Sequence, residues 1–114
     1  MMTDKTLQGA KPPQEISVQD LDTMLKTEQP PLLIDVREPF ELAHGFIPGS
    51  VHIPMGAIAF RLDELPRDRT IVLYCHLGER SWSVAQFLVR RGFRDVKSLH
   101  GGIAAWQASR NSNE

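Results

Sequence analysis

The sequence predicts one parallel-sheet α/β domain with helices on both faces of the sheet. Three observations predict it: short continuous apolar runs alternate with helical stretches, proline and glycine punctuate most joints, and 114 residues leave room for a single domain. Apolar runs without alternation suit strands covered on both sides.

Residues 1–13 are polar and end in Pro12 and Pro13, so a loose leader is expected before a domain over 14–109. Ser17 is a suitable N-cap for a helix over about 18–28, which Pro30 and Pro31 stop. Leu32 to Val36 is a buried-type strand, and Pro39 fits the first turn of a brief helix over Phe40 to Ala43. Gly45, Pro48 and Gly49 mark a loop before a small strand over Val51 to Ile53, which Pro54 ends. Met55 to Leu65 has the pattern of an amphipathic helix. Ile71 to Tyr74 is a second buried strand. A helix from Ser81 to about Arg91 follows, with Trp82, Ala85, Leu88 and Val89 at helical spacing and Gly92 as its stop. Asp95 to Leu99 reads as a further strand, and Gly101 and Gly102 turn the chain into a last helix from Ile103 to about Ala108. The polar end, 110–114, is expected to fray.

Composition removes several function classes. Thirteen basic and fourteen acidic residues give a net charge of -1, which supplies no electrostatic pull towards nucleic acid or an anionic membrane. One cysteine allows neither an internal disulfide nor a multi-thiolate zinc site, and His44, His52, His76 and His100 lack metal-ligand spacing. No apolar stretch approaches the eighteen or so residues that span a bilayer, and the first ten residues carry no secretory apolar region. The default expectation is a cytoplasmic protein without a metal.

That one cysteine, Cys75, sits where the strand Ile71 to Tyr74 ends and the loop His76-Leu77-Gly78-Glu79-Arg80 opens into a helix. Ligands of parallel α/β sheets bind outside the carboxyl ends of the strands. The first N–H groups of a helix lack intrahelical acceptors, and the aligned peptide dipoles put about half a positive charge there. A thiol in that field ionises more readily than a free one. Gly78 permits a tight turn or positive φ, Arg80 adds a permanent cation, and Ser81 is a suitable N-cap.

Four stretches carry a family resemblance. Asp35-Val36-Arg37-Glu38, His44 to Pro54, Tyr74 to Ser81, and Leu99 to Trp106 stand in the order and spacing of the single-domain rhodanese-like sulfurtransferases, and the chain resembles that family from about Ile16 to Trp106. The resemblance implies a three-layer fold with a mainly parallel five-stranded sheet. It also implies a reaction. Such enzymes take a sulfane sulfur from a donor such as thiosulfate or a persulfide onto a cysteine, here Cys75, and pass it to cyanide or a thiol. The N–H groups from His76 to Arg80 would cradle the charged sulfur, Arg80 would close the loop, and Asp35, Arg37 and Ser81 would support it. Trp82 and Trp106 are expected in the core. No cofactor is implied, and a partner protein could serve as sulfur donor or acceptor.

Two rivals share the scaffold. Cell-cycle dual-specificity phosphatases separate cysteine and arginine by five residues, whereas four stand between Cys75 and Arg80, and Ser81 occupies the position that would need arginine. A non-catalytic partner-binding module would not need Cys75 or a complete loop. Glu79 is the one discordant residue, a carboxylate inside a loop that should hold anions.

Overall fold

The computed structural model describes residues 11–111. Most of the expected leader, 1–10, and the last residues of the expected tail, 112–114, lie outside the described residues. Five strands form one sheet: β1 (Gln14–Ile16), β2 (Leu32–Asp35), β3 (Val51–His52), β4 (Ile71–Tyr74) and β5 (Val96–Leu99). Their spatial order is β1-β5-β4-β2-β3, and every pairing is parallel. Among the described residues three α-helices cover it: α1 (Val18–Leu25), α2 (Glu79–Arg90) and α3 (Gly102–Asn111).

The two-residue period of the strands sorts the core into two halves. Ile71, Leu73 and Cys75 point to one face, where they pack with Ile34, Ile58, Val84, Ala85 and Leu88. Val72 and Tyr74 point to the other, against Leu21, Ile103 and Trp106. Cys75 is therefore tied to the face that α2 covers. Parallel strands also bring the ends of β2 and β4 level, since Asp35 pairs with Tyr74. Arg37, two residues past β2, and Cys75, the residue after β4, therefore emerge together at the carboxyl end of the sheet.

Several elements differ from expectation. Ser17 caps α1 as expected, its Oγ accepting from the Asp20 N–H at 3.0 Å, but α1 stops at Leu25. Met55 to Leu65 forms no amphipathic α-helix. It forms two 3₁₀ segments, Met55–Phe60 and Leu62–Glu64, broken at Arg61. Gly56 weakens a helix there, and the 3₁₀ turns place Ile58 and Leu65 inside. The buried stripe of α2 is Ser81, Val84, Ala85 and Leu88, so Trp82 is half-buried and lies outside the core, while Trp106 lies in it. α3 runs past Ala108 to Asn111 because Arg110 bonds Asp22 of α1 through both carboxylate oxygens, at 3.0 and 2.6 Å, and lies over the Trp106 ring.

Candidate active site

Cys75 has no exposed surface. Its Sγ accepts hydrogen bonds from the N–H of Gly78 at 3.1 Å and of Ser81 at 3.4 Å. Gly78 makes this curvature possible with φ 121, a region that side-chain-bearing residues rarely adopt. It also sets the start of α2, whose first i-to-i-4 bond runs from the Trp82 N–H to the Gly78 carbonyl. Ser81 is consequently not the N-cap, contrary to expectation. It lies in the first turn, where its hydroxyl points inwards: Oγ donates to the Gly78 carbonyl at 3.2 Å, lies 2.7 Å from Ser98 Oγ, and lies within 3.6 Å of the Cys75 sulfur, whose S–H can donate to it.

The loop is fixed from behind by the start of α3. The Ile103 N–H donates to the Cys75 carbonyl at 2.9 Å and the Ala104 N–H to that of His76 at 3.1 Å. With both carbonyls held on that side, the N–H groups that bond the sulfur are those of Gly78 and Ser81 rather than the whole run from His76 to Arg80. Gly102 makes the approach possible, since a Cβ there would collide with the carbonyls of Cys75 and His76.

Arg80 is held by Glu41, which accepts from Nη1 at 2.8 Å and Nη2 at 2.9 Å. The Arg80 guanidinium holds the Glu41 carboxyl down at about 2, although partial burial opposes the shift. The same carboxylate pushes the Arg80 pKa up, with a smaller contribution from the nearby Cys75 sulfur. Glu41 belongs to the 3₁₀ helix Pro39–His44, where its Oε1 also accepts the Glu38 N–H at 2.9 Å.

Asp35 and Arg37 form a buried pair one strand away, with Nη2 to Oδ2 at 2.8 Å and Nε to Oδ1 at 3.0 Å. Asp35, the foremost cause, raises the Arg37 pKa by accepting these bonds. The remaining donors of Arg37 reach the carbonyls of Glu41, at 3.2 Å, and Gly45, at 2.8 Å. Arg37 therefore fastens the Pro39–His44 helix to the end of β2, and that helix fastens Arg80. The two ion pairs form one brace from the sheet to the loop. His52 adds to it through Nε2, 2.6 Å from the Arg37 carbonyl. Beside the loop, Arg37, Glu41, His44, His76, Ile103 and Gln107 line a hollow of about 210 Å³.

The structure thus joins Cys75, Gly78 and Ser81 directly, and Arg80, Arg37 and Asp35 through Glu41. His76, Leu77 and Glu79 are exposed, and none of them bonds the sulfur. No group of metal-ligating side chains occurs among the described residues, and no helix there is long and apolar enough to cross a membrane.

Three residues of this constellation were not among the site residues named from the sequence: Glu41, Ser98 and Gly102, the last read only as part of a turn. Ser98 alone had a usable local signal, since the period of two puts it on the inner face with Val96.

Residues 17–109 match the Rhodanese-like domain family. A protein named sulfurtransferase from Allochromatium vinosum is 40% identical over 92 residues, covering 81% of this chain and 86% of the relative. Thiosulfate sulfurtransferase GlpE of Pseudomonas syringae pv. syringae is 39% identical over 82 residues, 72% of this chain and 77% of the relative. Among solved structures, a rhodanese-like domain protein from Staphylococcus aureus has a TM-score of 0.77 at 31% identity, covering 82% of this chain and 90% of that one. The extent of these matches, joined to the five-stranded parallel sheet and the loop geometry, places the chain in the rhodanese-like domain family.

Proposed function

We propose that this chain is a sulfurtransferase that moves a sulfane sulfur from thiosulfate or a persulfide donor to a thiol or cyanide acceptor through a persulfide on Cys75. The observation that carries the proposal is the Cys75 sulfur receiving two backbone N–H groups at the carboxyl end of β4. Such donors stabilise negative charge on sulfur, which both a thiolate nucleophile and a terminal persulfide sulfur carry. The names of the two relatives support the reaction class, and one of them supports thiosulfate as donor.

In the first step the Cys75 thiolate attacks the outer sulfur of thiosulfate. A new S–S bond forms, the old one breaks, and sulfite leaves with the electron pair. In the second, the acceptor's thiolate or cyanide carbon attacks the terminal sulfur, and Cys75 leaves as thiolate. Oxidation states balance between donor and acceptor, so the cycle needs no outside oxidant or reductant. Arg80 and the Asp35–Arg37 brace keep the loop in shape. Leu77 in the loop and Phe40 beside Glu41 are exposed apolar side chains, which suits a protein as donor or acceptor.

Cys75→Ser tests the proposal. Serine is nearly isosteric but stays a neutral hydroxyl at neutral pH and cannot carry a persulfide. A folded Cys75→Ser variant should lose thiosulfate-to-cyanide transfer; persistence of transfer contradicts the mechanism, and aryl-phosphate cleavage by the unaltered protein would favour a phosphatase.

A further inference from the structure

Four polar side chains are fully or almost fully buried among the described residues, and they form two pairs: Asp35 with Arg37, and Ser81 with Ser98. The first pair braces the loop. The second lies on the α2-covered face, directly beneath the Cys75 sulfur. Ser98 sits on β5 opposite Leu73 of β4, and its Oγ is 2.7 Å from Ser81 Oγ. Placing a hydroxyl here in a sheet interior sacrifices apolar packing, and its position requires a reason beyond filling space.

Counting protons supplies one. Ser98 has one hydroxyl proton, and Ser81 Oγ is the acceptor found for it among the described residues. Ser98 therefore donates and Ser81 Oγ accepts. The proton of Ser81 is then left with two acceptors in reach, the Gly78 carbonyl at 3.2 Å and the Cys75 sulfur at 3.6 Å. While Cys75 is a thiol, its S–H can donate to Ser81 Oγ and the Ser81 proton stays on Gly78. Once the sulfur is charged it has no proton to give and is the stronger acceptor. The Gly78 carbonyl can release the Ser81 proton without being orphaned, because it keeps the Trp82 N–H at 3.0 Å.

Building on the Cys75 reading above, we propose that Ser98 is a positioning residue for the reaction. By donating to Ser81 Oγ it leaves the Ser81 proton free to turn onto the Cys75 sulfur whenever that sulfur is charged. Ser98 never touches the sulfur. It acts by fixing one side of Ser81 and by polarising its O–H bond, as a donor in a hydroxyl chain strengthens the next bond.

The test is the ultraviolet absorbance of the thiolate, which in a chain with one cysteine reports Cys75 alone, with Cys75→Ser as blank. At the pH where half of the wild-type thiol is ionised, Ser98→Ala should raise the thiol-to-thiolate ratio about three-fold, the size of one weakened charge-assisted hydrogen bond. In a Ser81→Ala background the same substitution should add nothing. A wild-type ratio in folded Ser98→Ala overturns the proposal, and so does an undiminished Ser98 effect without Ser81. Should Ser98→Ala fail to fold, Ser81→Ala decides alone: it must raise the ratio, and an unchanged ratio overturns the proposal. The measurement uses no sulfur donor. A protein that shows this dependence yet transfers no sulfur would defeat the function proposed above without touching the role of Ser98 in the ionisation of Cys75.

Discussion

Arg80 and Glu41 stand 39 residues apart in sequence and meet through two parallel N–H to carboxylate bonds of 2.8 and 2.9 Å. A bidentate pair of this kind fixes orientation as well as distance, so the last residue of the cysteine loop is held by a helix from the far side of the site. The pair occupies both Nη atoms of the guanidinium.

Glu41→Gln should destabilise the domain at neutral pH and leave the thiol chemistry in a looser loop. The folded-state value of about 2 lies below the ordinary 4.5, so the pair contributes its stability above about pH 4.5 and loses it as pH falls towards 2. The Arg80 side chain is 34% exposed, and solvent screening limits the contribution to about 1 kcal/mol. Urea denaturation across that range should show the gap between wild type and Glu41→Gln closing as the solution is acidified. A gap that is constant with pH would mean the pair adds nothing through charge.

Gly102→Ala should disrupt the site more than its small size suggests. The new methyl would collide with the carbonyls of Cys75 and His76, at a residue with φ 61. Either α3 retreats, releasing the Ile103 and Ala104 N–H bonds, or the cysteine loop moves. A loss of about 2 kcal/mol or more is expected, with a large fall in kcat among molecules that still fold. Wild-type kcat in this variant would show that the loop does not depend on α3.

Glu79 is exposed and has no ion-pair partner among the described residues, while the neighbouring arginine is committed to Glu41. Its charge is uncompensated on the loop. At about 6–8 Å from a doubly negative donor, repulsion in a partly solvated site reaches roughly 1 kcal/mol. Glu79→Gln should therefore raise kcat/KM with thiosulfate several-fold, chiefly through KM, and the gain should shrink in high salt. A less anionic persulfide donor should benefit less. Equal thiosulfate kinetics for both proteins at low and high salt would make Glu79 a solvated surface residue.

The legible parts of this molecule are those written locally. The runs at Leu32 and Ile71 gave two central strands because buried parallel strands need continuous apolar sequence, and the third, β5, was legible from its place between the helix stop at Gly92 and the turn at Gly101 and Gly102. Cys75 and Gly78 stood out because a thiol, a glycine and a helix start occur within a few residues. Gln14 to Ile16 has no such pattern, and its pairing with β5 at the sheet edge makes it a strand. Glu41 looked like one more acid in a short helix, for its partner is set by the tertiary fold. Gly102 read as half of a turn, since the carbonyls it approaches belong to a different loop. Trp82 was assigned inwards because a large apolar residue outranks serine in any burial pattern, yet Ser81 holds the inner position for the sake of the sulfur above it.

Mass spectrometry of the intact protein after incubation with thiosulfate, followed by peptide mapping, tests the central claim most directly. The account predicts a gain of one sulfur atom located on Cys75, reversed by cyanide with release of thiocyanate. A protein that stays unmodified under these conditions and with a persulfide donor, or that carries the added sulfur away from Cys75, would contradict it.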